Sequence, residues 1–199
     1  MKYPLFFFPE IRALLCEDQA EQYAGQLPDG FDEKRKVGEN ESAVCELIRS
    51  DSIGELISYV SRTNASVNTR IAPSTLETNS LLLKKSPVLI EYSAFFGSVQ
   101  VFRHLKLNGA RLDDSLRVYA VHGYCPETVQ ALNATISFSS ISQRPVRESI
   151  KCRRNSIADC LQNAGSGHEV PQLRAHEVSG ATHSVPHQWQ ASSCMITRT

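Results

Sequence analysis

The chain has 199 residues, carries 21 acidic and 21 basic side chains, and is 41% hydrophobic. This length predicts one domain, or one domain with a tail. A net charge of zero argues against a general nucleic-acid binder, because such proteins normally have a strong basic excess. The longest N-terminal apolar run, Leu5–Phe8, is far shorter than a signal peptide or the roughly 18 residues of a membrane span, so no membrane association is expected.

Six cysteines are scattered along the chain without any C-x-x-C pair. Such spacing suits neither a disulfide framework nor a structural zinc site. We therefore expect free thiols in a reducing compartment, the cytoplasm, and predict no metal ion and no cofactor.

The N-terminal part of the sequence predicts several helices in addition to those of the repeats. Residues 9–27 indicate a helix that caps the first repeat, with Pro9 as its start signal. Residues 28–40 are charged and indicate a linker or a short helix. Residues 41–62 predict a first helical pair, and one extra short helix is expected from Ser74 to Leu83, where S-x-x-E fits a capping box.

A short apolar pattern then recurs along the chain. Its copies are Leu56-Ile57…Val60, Val101-Phe102…Leu105, Thr128-Val129…Leu132 and Ile157-Ala158…Leu161. The interval from Leu105 to Leu132 is nearly the same as the interval from Leu132 to Leu161. A second pattern runs through Ile90…Ala94, Leu116…Ala120 and Val146…Ile150. Each unit therefore predicts two short amphipathic helices joined by a tight turn, in an array of stacked repeats.

Helix boundaries are indicated by their end residues. Ser52 and Ser156 each begin an S-x-x-[E/D] sequence, which predicts that their hydroxyl groups cap the helices after them. Gly109 and Gly165 come after the last apolar residue of a unit, and a glycine there can adopt the left-handed conformation that ends a helix.

The residues 89–102, with Asn108-Gly109-Ala110 after them, resemble a degenerate ankyrin repeat. The resemblance extends over about residues 9–164 and is to a family of ankyrin-like domains of unknown function, expanded in some parasitic protists. Its further motifs are Phe31-Asp32-Glu33-Lys34-Arg35, Gly38-Glu39-Asn40, Glu46–Ser52, Glu77-Thr78-Asn79, Tyr119-Ala120-Val121-His122 and Glu148–Cys152.

This resemblance implies an all-α, ankyrin-like helical repeat solenoid of about four degenerate helix pairs. Residues 1–40 would form the N-terminal cap helix and charged linker, and residues 41–165 the repeats. Residues 166–199 predict a disordered tail, because they show no apolar periodicity. The implied function is non-catalytic protein–protein interaction by a monomer, and the resemblance carries no catalytic residues. The loss of pattern at Gly165 also leaves open that the chain is part of a longer array.

Candidate sites are indicated by charged and nucleophilic residues. Arg144 and four neighbours form a basic cluster, within which we predict that an acidic protein partner binds to Arg147, Lys151, Arg153 and Arg154. The sequence Arg153-Arg154-Asn155-Ser156 is also typical of a substrate for a basophilic kinase.

An enzyme is the competing class, a thiol- or metal-dependent hydrolase that uses Cys125 and His122 or the tail histidines. The tail residues concerned are His168, His176, His183, His187 and Cys194. Pro186 lies between His183 and His187 and disfavours the helical turn that would bring them together, so we expect solvated side chains there instead.

Overall fold

The computed structural model describes residues 3–123, 126–135 and 143–163. Across these residues the regular structure is helical, apart from an isolated β-bridge between Arg70 and Val88. The prediction of an all-α chain is therefore confirmed. The helices are α1 (Tyr3–Phe6), α2 (Phe8–Ile11), a 3-10 helix (Arg12–Leu14), α3 (Glu17–Ala24), α4 (Phe31–Val37), α5 (Ala43–Arg49), α6 (Ile53–Thr63), α7 (Ser80–Lys85), α8 (Leu89–Phe96), α9 (Val99–Leu107), α10 (Leu116–Gly123), α11 (Pro126–Thr135), α12 (Gln143–Lys151) and α13 (Asn155–Asn163).

The chain divides into two compact units, of which the first ends at Arg111 and the second begins at Leu112. The first unit contains α1–α9, and the second contains α10–α13. Among the helices in the described residues, none is both long enough and apolar enough to span a bilayer.

Two stacked helical hairpins form the main part of the first unit. One hairpin is α5 with α6, and the other is α8 with α9. They stack helix on corresponding helix, because α5 packs against α8 and α6 packs against α9. Ile48, Leu56, Ile90 and Val101, one from each helix, are at most 1% exposed. Burial of each such side chain stabilises the fold by roughly 1.5–3 kcal/mol.

The second unit repeats this arrangement. Its hairpins are α10 with α11 and α12 with α13, and α10 packs against α12 while α11 packs against α13. Leu116, Leu132 and Ile157 are each 1% exposed. The helix pairs predicted from the repeats are therefore present, in two units that have the same internal packing.

The first helix of three hairpins ends in the same kind of turn. A residue one or two positions after the helix adopts the left-handed conformation: Asp51 (φ 51°), Gly97 (φ 70°) and Arg153 (φ 55°). The next N–H then bonds back to a carbonyl five residues earlier, in the pairs Ser52–Leu47 (3.0 Å), Ser98–Ser93 (2.9 Å) and Arg154–Ser149 (2.7 Å). This Schellman turn pairs carbonyls that a helix end otherwise leaves without partners. The corresponding turn of the remaining hairpin includes residues 124–125, outside the described residues.

Asp51 also joins the two hairpins of the first unit. Its carboxylate accepts hydrogen bonds from the N–H groups of Gln100 (3.1 Å) and Val101 (2.9 Å), in the first turn of α9. These N–H groups are among those that a helix leaves unpaired at its start. The residue before α9, Ser98, makes no side-chain cap bond there. The turn of one hairpin therefore caps the second helix of the next.

The positions of the left-handed turn residues change how the first copy of the apolar pattern aligns with the later copies. Leu56 follows Asp51 by five residues, as Phe102 follows Gly97, whereas the sequence pattern had paired Leu56 with Val101. Ile57 is consequently 42% exposed, and the prediction that it lies in the core is wrong. The predicted apolar positions of the three later copies are all buried, so that part of the pattern is confirmed.

Helix α12 presents a different face to the core than the sequence predicted. Val146 is only half-buried and Ile150 is 58% exposed, while Pro145 and Ser149 are buried. The sequence predicted Val146 and Ile150 as core residues because they continue the pattern of Ile90…Ala94 and Leu116…Ala120, in which the two positions are four residues apart. The buried positions are one residue earlier, and the interval from Leu116 to Pro145 then equals that from Leu132 to Leu161.

Several predicted helix boundaries also change. The region 9–27 is not one helix, because the chain is extended at Leu15 and Cys16 between the 3-10 helix and α3. Residues 28–40 contain the short helix α4, which was one of the two alternatives. The extra helix predicted from Ser74 begins at Ser80 instead, where Asn79 accepts a hydrogen bond from the Leu81 N–H at 2.9 Å.

The predicted serine caps are wrong, whereas one predicted glycine stop is confirmed. Ser52 makes no side-chain cap bond to α6, and its hydroxyl contacts the Ser50 hydroxyl at 2.9 Å. Ser156 is exposed and lies inside α13, which begins one residue earlier. Gly109 is left-handed (φ 81°), as predicted. Gly165 lies outside the described residues.

Candidate functional site

The predicted partner-binding residues lie on α12 and in the turn after it. Arg147, Lys151 and Arg153 are exposed, and Arg144 on the same helix is exposed as well. Arg154 is half-buried, with its Nε atom inside the protein. Four residues of the basic cluster are therefore accessible at the surface, and the fifth, Arg154, is also packed against the protein.

A second group of side chains in this unit combines three metal-binding or catalytic functional groups. His122 lies on α10, Glu148 on α12 and Cys152 directly after α12. The His122 Nε2 atom is 3.4 Å from Glu148 Oε1, and the His122 Nδ1 atom is 3.9 Å from Cys152 Sγ. One ligand atom from each side chain lies within 4.8 Å of the other two.

Helix geometry explains why Glu148 and Cys152 meet. Residues four apart lie on the same face of a helix. The N–H of Cys152 still donates to the Glu148 carbonyl at 2.9 Å, so the helical geometry continues to Cys152. Because α10 packs against α12, His122 faces this pair from the neighbouring hairpin.

The surroundings of His122 favour the neutral imidazole. Burial lowers the pKa of His122 below its usual value, and the positive charge of Arg154 lowers it further. Glu148 acts in the opposite direction, because its carboxylate stabilises the protonated ring. Burial has the largest effect, so the neutral ring predominates near pH 7.

The structure places the Cys152 thiol beside His122, whereas the sequence predicted that Cys125 would act with this histidine. Cys125 lies outside the described residues, as do the tail histidines and Cys194. The hydrolase alternative therefore stays an untested prediction. The described cysteines, Cys16, Cys45, Cys152 and Cys160, are free thiols.

A polar network in the first unit centres on Arg49. Its guanidinium donates to the Asn40 carbonyl (2.7 Å) and the Tyr92 hydroxyl (2.8 Å), and its Nε lies 2.8 Å from Glu39 Oε2. Burial raises the pKa of Glu39, while the charge of Arg49 lowers it. These contacts tie α5 to α8 and to the segment before α5, which is a structural role.

Glu77 is a buried carboxylate in the same unit. It is 6% exposed, and its Oε1 accepts a hydrogen bond from the Asn79 N–H at 2.7 Å. Burial raises the pKa of Glu77, and the nearby negative charge of Glu39 also raises it. Glu77 borders a cleft of about 110 Å³ beside Phe6 and Phe7, smaller than the roughly 300–1,000 Å³ of typical ligand pockets.

Comparison of the chain with models of protein families, with curated proteins and with solved structures gave no match.

Proposed function

We propose that this chain is a non-catalytic protein-interaction module of the ankyrin-like type. The observation that carries the proposal is the packing inside each unit, where first helices stack on first helices and second helices on second helices. Stacked helical hairpins of this kind are typical of repeat proteins, which act mainly through extended binding surfaces. The resemblance of the sequence to degenerate ankyrin repeats supports the same proposal.

The proposed docking surface is the exposed part of the basic cluster in the second unit. Arg144 and Arg147 are on the exposed face of α12, and Arg153 is in the turn after it. A surface of this charge fits an acidic protein partner. Exposed charges of this kind mainly accelerate association, and their effect is screened beyond about 8 Å at physiological salt.

A charge-reversal variant tests this surface. The double substitution Arg144→Glu with Arg147→Glu should lower the association rate with a captured partner about tenfold and reduce its salt dependence. Both side chains are exposed, so the melting temperature should change little. The matched control is Arg12→Glu with Arg62→Glu, which changes the net charge equally at exposed positions of the first unit.

Association kinetics by surface plasmon resonance separate the possible outcomes. A slower rate in the α12 variant alone supports the docking surface. Equal rates for wild type and the α12 variant would remove the basic cluster from the interface and leave the remaining helix faces as the binding surface. Failure to retain any protein from the native cytoplasm would count against the proposed function as a whole.

A further inference from the structure

His122, Glu148 and Cys152 bring three different metal-binding groups to one small volume of the second unit. They offer an imidazole nitrogen, a carboxylate oxygen and a thiol sulfur, and these atoms lie within 4.8 Å of one another. We propose that these three residues bind a zinc ion, which then joins α10 to α12.

The distances are near those of a tetrahedral zinc site. With Zn–N and Zn–O bonds of about 2.1 Å, ligand atoms lie about 3.4 Å apart, and a Zn–S bond of about 2.3 Å extends this to about 3.6 Å. The observed separations are 3.4 Å between His122 Nε2 and Glu148 Oε1, and 3.9 Å between His122 Nδ1 and Cys152 Sγ. These two contacts use different ring nitrogens, so one nitrogen must approach both partners. With one atom from each residue the separations reach up to 4.8 Å, so ligand atoms must move together by about 1 Å to reach tetrahedral distances.

The fold brings the ligands together without ordering any new segment. Glu148 on α12 and Cys152 directly after it are four residues apart and share one helical turn, and α12 already packs against the helix that carries His122. A site made from packed elements costs less conformational entropy on binding than one made from loops.

The chemistry of the ligands selects the kind of metal. A mixed nitrogen, sulfur and oxygen set suits Zn²⁺, whereas Mg²⁺ and Ca²⁺ prefer oxygen ligands alone. A thiolate and a carboxylate together neutralise the two positive charges of the ion. Lys151 Nζ lies 3.4 Å from Glu148 Oε2, which leaves the other carboxylate oxygen, Oε1, facing His122.

Partial exposure leaves room for a fourth ligand. The side chains of His122 and Glu148 are 17% and 23% exposed, and Cys152 is also half-buried. An ion could therefore enter, and water could complete a site with three protein ligands.

Cobalt(II) titration of the full chain tests the proposal. Co²⁺ replaces Zn²⁺ in such sites, and a thiolate ligand gives it a near-ultraviolet charge-transfer absorption. We expect this absorption at one equivalent, its loss when Zn²⁺ is added, and its absence in Cys152→Ser. Glu148→Gln and His122→Gln should each weaken Co²⁺ binding at least tenfold.

Two matched controls separate this site from other metal-binding groups in the chain. Cys16→Ser removes an exposed thiol of the first unit and should leave the absorption unchanged. His183→Gln with His187→Gln removes two tail histidines and should also have no effect. If the absorption persists in Cys152→Ser, or disappears only in the tail variant, the proposed site is wrong.

Thermal unfolding gives an independent measurement. Zn²⁺ at about 100 times its dissociation constant should raise the melting temperature of the wild type by roughly 5–11 °C, and a chelator should reverse the increase. In Glu148→Gln with an unchanged helical circular-dichroism spectrum, the increase should be smaller. An equal increase in both proteins would overturn the assignment of Glu148 as a ligand.

Discussion

Replacing Leu105 by alanine would test whether the repeat pattern locates the core of the first unit. Leu105 is 1% exposed, and Leu107, two residues later on the same helix, is 86% exposed. Removing about three buried methylene equivalents costs roughly 2.4 kcal/mol in transfer free energy, and the cavity left behind raises the total to about 3–5 kcal/mol. Leu107→Ala makes the same chemical change in solvent, so it should alter the free energy of unfolding by less than about 0.5 kcal/mol.

Equilibrium urea unfolding, followed by circular dichroism, measures the difference. A loss of about 3 kcal/mol with a slope of about 2 kcal/mol per molar lowers the midpoint by about 1.5 M. The transition of the first unit should shift in Leu105→Ala and remain in place in Leu107→Ala. Equal midpoints for the two variants would show that burial along α9 has been assigned to the wrong face, and the repeat alignment would fail with it.

Two further predictions concern α12–α13 and a buried carboxylate. Leu161→Ala, at a position 4% exposed, should lower the free energy of unfolding by about 2–5 kcal/mol, whereas Ile150→Ala, at a position 58% exposed, should change it by less than about 0.5 kcal/mol. Thermal melts of both variants would reveal the opposite order if Ile150 were the core residue. For Glu77, burial raises the folded-state pKa above the ordinary value of 4.5, so its contribution to stability is fully present below that value and is lost as the pH rises through the raised pKa. Glutamine does not ionise, so Glu77→Gln removes this loss, and the stability of the variant relative to wild type should increase between pH 4 and pH 8. A difference in urea midpoint between the two proteins that stays constant with pH would contradict the assignment.

Periodicity located most of the helices but not every buried face. In α6 the apolar pair Leu56-Ile57 resembles Val101-Phe102, and either neighbour could be the core position. The left-handed residue Asp51 resolves this ambiguity, since it fixes the distance from the turn to the core. Such a conformation is hard to anticipate at a residue other than glycine.

The apolar pattern misled the prediction for α12. Its apolar side chains, Val146 and Ile150, indicated a core face, yet a proline and a serine occupy the buried positions. Small residues allow neighbouring helices to approach closely, and a single sequence does not distinguish a small core residue from a small surface residue. The interval between repeats is the better guide to the buried positions. When Pro145 is taken as the buried residue, the interval between the first helices of the second unit equals the interval between its second helices.

The same interval indicates the region of the proposed metal ligands, though not the ligands themselves. Residues one repeat apart occupy corresponding positions in neighbouring hairpins. The distance in sequence from Leu132 to Leu161, when counted from His122, leads to Lys151, which is next to Cys152. Glu148 lies four residues before that cysteine. The sequence prediction relied on cysteine and histidine close together in the chain, so it paired His122 with Cys125 instead.

The carboxylate of Asp51 has a consequence for how the first unit folds. Because Asp51 lies in the turn after α5 and caps α9, part of the stability of α9 depends on another hairpin being folded. In a nearest-neighbour description of repeat proteins, this contribution belongs to the interface between hairpins and not to either hairpin alone. Coupling of this kind makes partly folded states less populated. It also fixes the axial offset of one hairpin on the next, which matters in repeats whose degenerate sequences would otherwise permit neighbouring registers.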